Sequence, residues 1–156
     1  MPTSPSVPEL RFAFEIDVGV GAPLDLGQTQ AGHRRIVPIA GGVVSGPRLA
    51  GRVLPVGADW QILRPDGTAD LEARYTIQTS TGALIYVMNR GVRHGPPEVL
   101  ARLNRGERVD PASYYFRSAA TFETSSSEDA WLTRAIIVAV GERYPDKVAL
   151  RFWELL

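Results

Sequence analysis

Alternation of apolar and polar positions dominates this chain. Residues 10–16, LRFAFEI, place Leu10, Phe12, Phe14 and Ile16 on one face and Arg11, Ala13 and Glu15 on the other. That is the period of a half-buried strand. ADLEARYTIQT, residues 69–79, repeats it: Leu71, Ala73, Tyr75 and Ile77 oppose Glu72, Arg74, Thr76 and Gln78. Ser80-Thr81-Gly82 then turns the chain into ALIYVMNRG, so the two segments predict an antiparallel hairpin. Further strands are predicted in HRRIVPIAGGVVSG, in ADWQILR before the turn Pro65-Asp66-Gly67, in YYFRSAATFET, and in RAIIVAVGE and KVALRFWEL around Tyr144-Pro145-Asp146. GVGAPLDLG reads as a loop. Pro38 marks an edge strand, and Gly41-Gly42 a bulge or sharp bend.

Helical signals are few. PPEVLARLNRG starts at Pro96 or Pro97, carries Glu98 in its first turn and meets Gly106 just past its end. SSSEDAWL has capping-box spacing between Ser125 and Glu128 for one turn. The count is about eight to ten strands with one or two short helices, which predicts an all-β fold. Such a chain suits a closed barrel or a sandwich, and a single antiparallel β-barrel removes exposed edges. Residues 1–7 read as a disordered lead-in, and 8–156 as one domain.

Composition narrows function by exclusion. The 156 residues carry a formal net charge of +0, so no global field draws in nucleic acid or anionic lipid. No apolar run is long enough to span a bilayer, and the first residues do not form a signal peptide. A cytoplasmic protein is expected. There is no cysteine, which excludes disulfides, thiolate nucleophiles and cysteine-bound metals. His33 and His94 are the two histidines, too few for a three-histidine zinc site. Lys147 is the sole lysine, so positive charge is nearly all arginine. A GC-rich genome explains that bias; carboxylate or phosphate recognition would use it.

The glycines of GGVVSGPRLAG lack a following Gly-Lys-Ser or Gly-Lys-Thr, so no phosphate loop is present, and no GxSxG elbow occurs. No cofactor is expected. What remains is a set of polar and aromatic residues on predicted strands. Asp59 and Glu123 are candidate acid–base groups. Trp60, Arg74, Tyr75, Asn89, Arg117 and Trp131 are candidate ligand contacts. Aromatic walls with a few charged groups suit a small-molecule cavity. A carboxylate facing an arginine in such a cavity also suits proton transfer. Structural roles compete with every one of these assignments. Strand alternation adds a limit: Asp59 and Trp60 cannot both face the lumen of a regular strand, nor can Arg74 and Tyr75.

GGVVSGPRLAGRVLPVGADW, the Asp66-Gly67 pair, LEARYTIQT, GALIYVMNRG, YYFRSAATFET and AWL occur in an order that resembles the domain of unknown function 3237 family, over roughly residues 8–155. Ser80-Thr81-Gly82 replaces a usual Asp-Gly turn, and Val56 stands where glycine is common. The resemblance implies one calycin-like (lipocalin-like) β-barrel and no established activity. It also makes Gly57-Ala58-Asp59-Trp60 a family hallmark at a strand entrance.

Three functions stay open. The barrel binds an apolar or aromatic small molecule through an anionic or polar handle read by Arg74 or Arg117. Alternatively, it catalyses proton transfer, cyclisation or hydrolysis in the same cavity without a cofactor, with Asp59 or Glu123 as base. Or it is a structural module, a homo-oligomer covering the apolar AIIVAV segment. At least one of Arg74 and Arg117 is expected to be buried on Asp59 or Glu123. The 97–105 helix is expected to dock Val99, Leu100 and Leu103 onto a barrel end beside Tyr114 and Trp131, as a lid or a plug, or to cover AIIVAV.

Overall fold

A computed structural model describes residues 5–156. Residues 1–4 of the expected lead-in lie outside the described residues, and 5–7 are exposed coil. Nine strands follow: β1 (Leu10–Val20), β2 (Leu24–Thr29), β3 (Gly32–Ser45), β4 (Gly51–Leu63), β5 (Ala69–Thr79), β6 (Leu84–His94), β7 (Tyr115–Thr124), β8 (Ile136–Arg143) and β9 (Lys147–Leu155). One helix, α1 (Pro97–Asn104), joins β6 to β7. The strands run β1-β9-β8-β7-β6-β5-β4-β3, and β3 pairs back onto β1. The result is a closed antiparallel barrel of eight strands, with β2 attached to β3 outside the ring. The hairpin expected over 69–90 is β5–β6, paired in unbroken register from Ala69–Arg93 to Gln78–Leu84.

Three local readings change, each for a backbone reason. First, the alternation in LRFAFEI breaks. Phe12 pairs with Trp153, and two residues later Phe14 pairs with Phe152, so the strand gains one residue over its partner. This bulge turns Leu10 and Phe12 outward, where the Phe12 ring meets Trp153 edge-on at 5.3 Å, while Phe14, Ile16 and Val18 point inward. Second, LDLGQT is a strand rather than a loop, bent where Gly27 takes φ 72°. Third, Pro38 is not on a sheet edge. β2 accompanies β3 up to Ile36 and β1 takes over from Ile39, so proline sits at the gap between two partners.

The interior divides along the barrel axis. At one end the core is apolar. Phe14 and Phe152 stack at 4.6 Å, Phe122 meets Phe14 edge-on at 6.3 Å, and Ile77, Ile85 and Ile137 pack beneath them with at most 1% exposure. A short 3-10 turn, Ala130–Thr133, closes this end with Leu132. Its start is held by Ser126 donating to Asp129 at 2.7 Å, not by the Ser125–Glu128 pair the spacing suggested. The Arg48 guanidinium lies 3.6 Å above the Trp131 ring there.

The other end gathers the β4–β5 and β8–β9 turns and α1. Leu100 and Leu103 are buried in the continuous core, and Leu100 reaches the turn at Gly67. Helix α1 therefore docks on a barrel end near Tyr114, as expected. Trp131, expected beside it, lies at the opposite end. AIIVAV is not covered by α1: Ile136 is 63% exposed on the outer surface.

Candidate functional site

Between the apolar plug and α1 the barrel stays open. The space available to the centre of a water-sized sphere is about 60 Å³. One water needs about 10–15 Å³ on this measure, so the cavity holds a small molecule or several waters. Its two sides differ. Val18, Val20, Val148 and Leu150 of β1 and β9, with Val37 and Ile39 of β3, form an aliphatic wall. Strands β5 and β6 stand across the ring from β9 and β1. There and on β4, β7 and β8, Asp59, Gln61, Tyr75, Asn89, Arg93, Ser118 and Arg143 bring polar groups among Leu71, Ala73 and Phe116.

Asp59 keeps the inward register of Val53 across a bulge in β4. Pairing with β5 jumps from Val53–Ile77 to Gly57–Tyr75, four residues against two. Gly57 absorbs the bend at φ 106°, and a side chain there would strike the Arg74 carbonyl oxygen. Beyond the bulge regular alternation resumes. Asp59 and Gln61 point in, and Trp60 points out against Arg34, Ile36 and Arg74. Gly57 thus lets β4 bend beside β5 while Asp59 stays on the inward face.

A directed relay orients the carboxylate. Arg35 Nε donates to Gln61 Oε1 at 2.9 Å, and Gln61 Nε2 donates to Asp59 Oδ2 at 2.8 Å. Arginine can only donate, so Gln61 must present its oxygen to Arg35 and its amide nitrogen to Asp59. The Glu72 backbone N–H donates to Asp59 Oδ1 at 3.0 Å. Burial raises the Asp59 pKa above 3.8; the Gln61 and Glu72 hydrogen bonds and the charges of Arg93 and Arg35 only partly offset it. Asp59 forms no ion pair among the described residues.

Three guanidinium groups surround this carboxylate. Arg35 and Arg93 are buried, at 8% and 4% exposure, and Arg143 is half-buried. Desolvation brings Arg93 down to about 10, with the like charges of Arg143 and Arg35 adding to it. Arg35 and Arg143 shift down for the same leading reason. The Arg143 backbone N–H donates to Tyr114 Oη at 2.8 Å, which ties the end of β8 to the segment after α1. Burial, with the Asp59 charge beside it, pushes the Tyr75 phenol up, so Tyr75 is a neutral hydroxyl near physiological pH. Tyr75 Oη, Asn89 Oδ1, Ser118 Oγ and Arg35 Nη2 are buried without a protein partner. Native proteins leave few such atoms unpaired, and three of these, on Tyr75, Asn89 and Ser118, line one cavity, which marks a place for a bound group. Among the described residues no three histidine, aspartate or glutamate side chains gather as metal ligands.

Of the residues singled out from sequence, the fold brings Asp59, Tyr75 and Asn89 together in the lumen. It places the others elsewhere. Arg74 is exposed and bonds Glu72 at 2.7 Å. Arg117 is exposed, donates to its neighbour's carbonyl (Phe116 O) at 2.9 Å and lies 5.2 Å from the Tyr115 ring. Glu123 is exposed on the outside of β7. The expected burial of Arg74 or Arg117 on Asp59 or Glu123 therefore fails, because both arginines occupy outward positions of their strands. Arg35, Gln61, Arg93, Ser118 and Arg143 were missed. Their signal was register: Arg93 continues the inward series Ile85, Val87, Asn89, and Arg35 precedes Val37 and Ile39.

The profile described as "Protein of unknown function (DUF3237)" matches residues 8–155. The chain belongs to the DUF3237 family. A UPF0311 protein of Bradyrhizobium diazoefficiens is 44% identical over 142 residues, covering 91% of this chain and 93% of its own. The crystal structure of a conserved protein of unknown function from Rhodopseudomonas palustris superposes with a TM-score of 0.93 at 40% identity, covering 99% of this chain and all of that one. A protein of Penicillium herquei named as a hydroalkoxylation enzyme is 34% identical over 151 residues, covering 97% of this chain and 86% of its own. The relatives of this chain thus include one named for a reaction, beside others of unassigned function.

Proposed function

We propose that the lumen is an active site for cofactor-independent proton transfer on a small, partly apolar molecule, with Asp59 as the base. The observation that carries this reading is Asp59 itself: a desolvated carboxylate, oriented by Gln61 and Glu72, facing a cavity rather than an ion-pair partner. A pKa raised toward the working pH makes a stronger base than an ordinary aspartate. The aliphatic wall takes the substrate's apolar side. Tyr75, Asn89 and Ser118 supply hydrogen bonds that fix its polar edge.

The Penicillium herquei relative's name supports one form of this chemistry, addition of O–H across a carbon–carbon double bond. Here Asp59 would take the hydroxyl proton. The oxygen then bonds one carbon of an electron-poor double bond, and Asp59 returns the proton to the other carbon. One C–O and one C–H bond form, one O–H and one π bond break, and Asp59 ends as it began. The lumenal guanidinium groups stabilise the negative charge that develops meanwhile.

The test uses compounds whose hydroxyl can close onto their own conjugated double bond, followed by NMR in D2O. Cyclised product with deuterium on carbon, lost in Asp59→Asn but retained in Glu123→Gln, is expected. Turnover unchanged in Asp59→Asn would refute the assignment. Compounds that bind but neither close nor exchange would leave a carrier, the second reading the three unpartnered polar atoms of the lining suit.

A further inference from the structure

The lumen's charge does not balance. Asp59 is the one carboxylate on the cavity, and its charge is set against Arg93 and Arg143 on the lining and Arg35 one layer behind Gln61. On the lining two guanidinium groups face one carboxylate, an excess of one positive charge, while Arg35 behind them also feels Asp25. Elsewhere among the described residues, eight of the thirteen other arginines are ion-paired. Arg64 with Asp70, Arg74 with Glu72 and Arg11 with Glu154 are all ion-paired at exposed or half-exposed positions. The lumenal three have no ion pair among the described residues, and Arg93 also has no hydrogen-bond acceptor there. An arginine that folding buries without a counter-charge is costly, so its position needs a reason beyond packing.

We infer that the lumen takes a small organic anion of the carboxylate class, its charged group bound by Arg93 and Arg143 and its apolar part against the β1–β9 wall. Guanidinium groups match a planar carboxylate through paired N–H donors. Arg93 and Arg143 lie at the α1 end of β6 and β8, whereas Tyr75 lies deeper, toward the apolar plug. The anion therefore sits nearer the α1 end, and the substrate's reacting part extends inward past Asp59 toward Tyr75. Arg35 is a positioning residue: its Nε holds Gln61, and its unpartnered Nη2 adds positive charge behind the relay. This inference rests on the lumen being a ligand site, but not on Asp59 being a base.

The test compares acetate, propionate and benzoate with acetamide, propionamide and benzamide, which share their shape but not their charge. Binding is followed through the 15Nε resonances of Arg93 and Arg143 in the intact chain. Two charge-assisted hydrogen bonds should favour a carboxylate over its amide by roughly ten- to a hundredfold. Arg93→Met and Arg143→Met should each abolish that preference, and Arg117→Met on the outer surface should keep it. Arg93→Lys, which retains the charge in case the methionine variant misfolds, should keep a reduced preference. Amides binding as well as acids, a preference that survives Arg93→Met, or no response to any acid would overturn the inference. The two readings fail separately. Acid binding without proton transfer removes the catalytic reading alone. Turnover of neutral compounds with no preference for acids removes the anion alone.

Discussion

The two ends of the barrel interior are built on opposite principles. The plug end fills its space with Phe14, Phe122 and Phe152 and with isoleucines that leave almost nothing exposed. The lumenal half, framed by the same strands, leaves space open and lines it with Asp59, Arg93, Arg143 and unpartnered hydroxyl and amide oxygens. Folding alone rewards the first arrangement and penalises the second. One end therefore supplies stability that the other spends on a preformed cavity with charged groups in an apolar lining, which is the division expected of a binding or catalytic site.

Substitutions of the buried apolar side chains and of the lumenal arginines should move stability in opposite directions. The largest effect belongs to the plug: Phe152→Ala should cost about 3–5 kcal/mol in urea unfolding, by removing a fully buried ring from a stack. A loss below about 1 kcal/mol would mean the plug is not the stabilising end. Next comes Leu103→Ala on α1, with an expected loss of about 2–4 kcal/mol because the short helix holds on by its buried leucines. Arg93→Met should reverse the sign and stabilise by about 1–3 kcal/mol while abolishing any preference for acids. Destabilisation there would show that Arg93 is a structural partner after all.

Asp59→Asn sharpens the comparison through pH. Burial raises the Asp59 pKa above 3.8, so the folded state holds the proton more tightly than the unfolded chain. From 3.8 up to the folded value, rising pH therefore costs the wild type stability that the asparagine variant does not lose. The stability difference should shift in favour of Asp59→Asn as pH rises through that window, and a flat difference would deny the shift. The smallest effect is expected outside. Arg74→Ala should change stability by less than about 1 kcal/mol, since its pair with Glu72 is exposed, and should leave binding untouched.

The fold was legible because alternation is local. The β5–β6 hairpin, the helix between Pro96 and Gly106 and the all-β class follow from period and punctuation alone. Alternation failed where a bulge intervened, as at Phe12–Phe14, since one inserted residue exchanges the two faces of a strand. The site was half legible for a related reason. Asp59, Tyr75 and Asn89 stood out by residue type. Arg74 and Arg117 were favoured as charges, although alternation itself set Arg74 among Glu72, Thr76 and Gln78 on the polar face. The arginines at and behind the lumen, Arg93, Arg143 and Arg35, share a face with valine, isoleucine or alanine in their own strands. A charge in an apolar register is the more informative signal. That these three meet at one end depends on closure between β1 and β3, which no local pattern encodes.

The account stands on the state of one carboxyl group. Side-chain 13C NMR of aspartate-labelled protein, with Asp59→Asn to assign the resonance, reads its titration directly. The expected midpoint lies above 3.8 in the wild type and higher still in Arg93→Met, where a nearby positive charge is gone. A midpoint at or below 3.8, or one that ignores Arg93→Met, would contradict a desolvated base sharing its cavity with unpaired arginines.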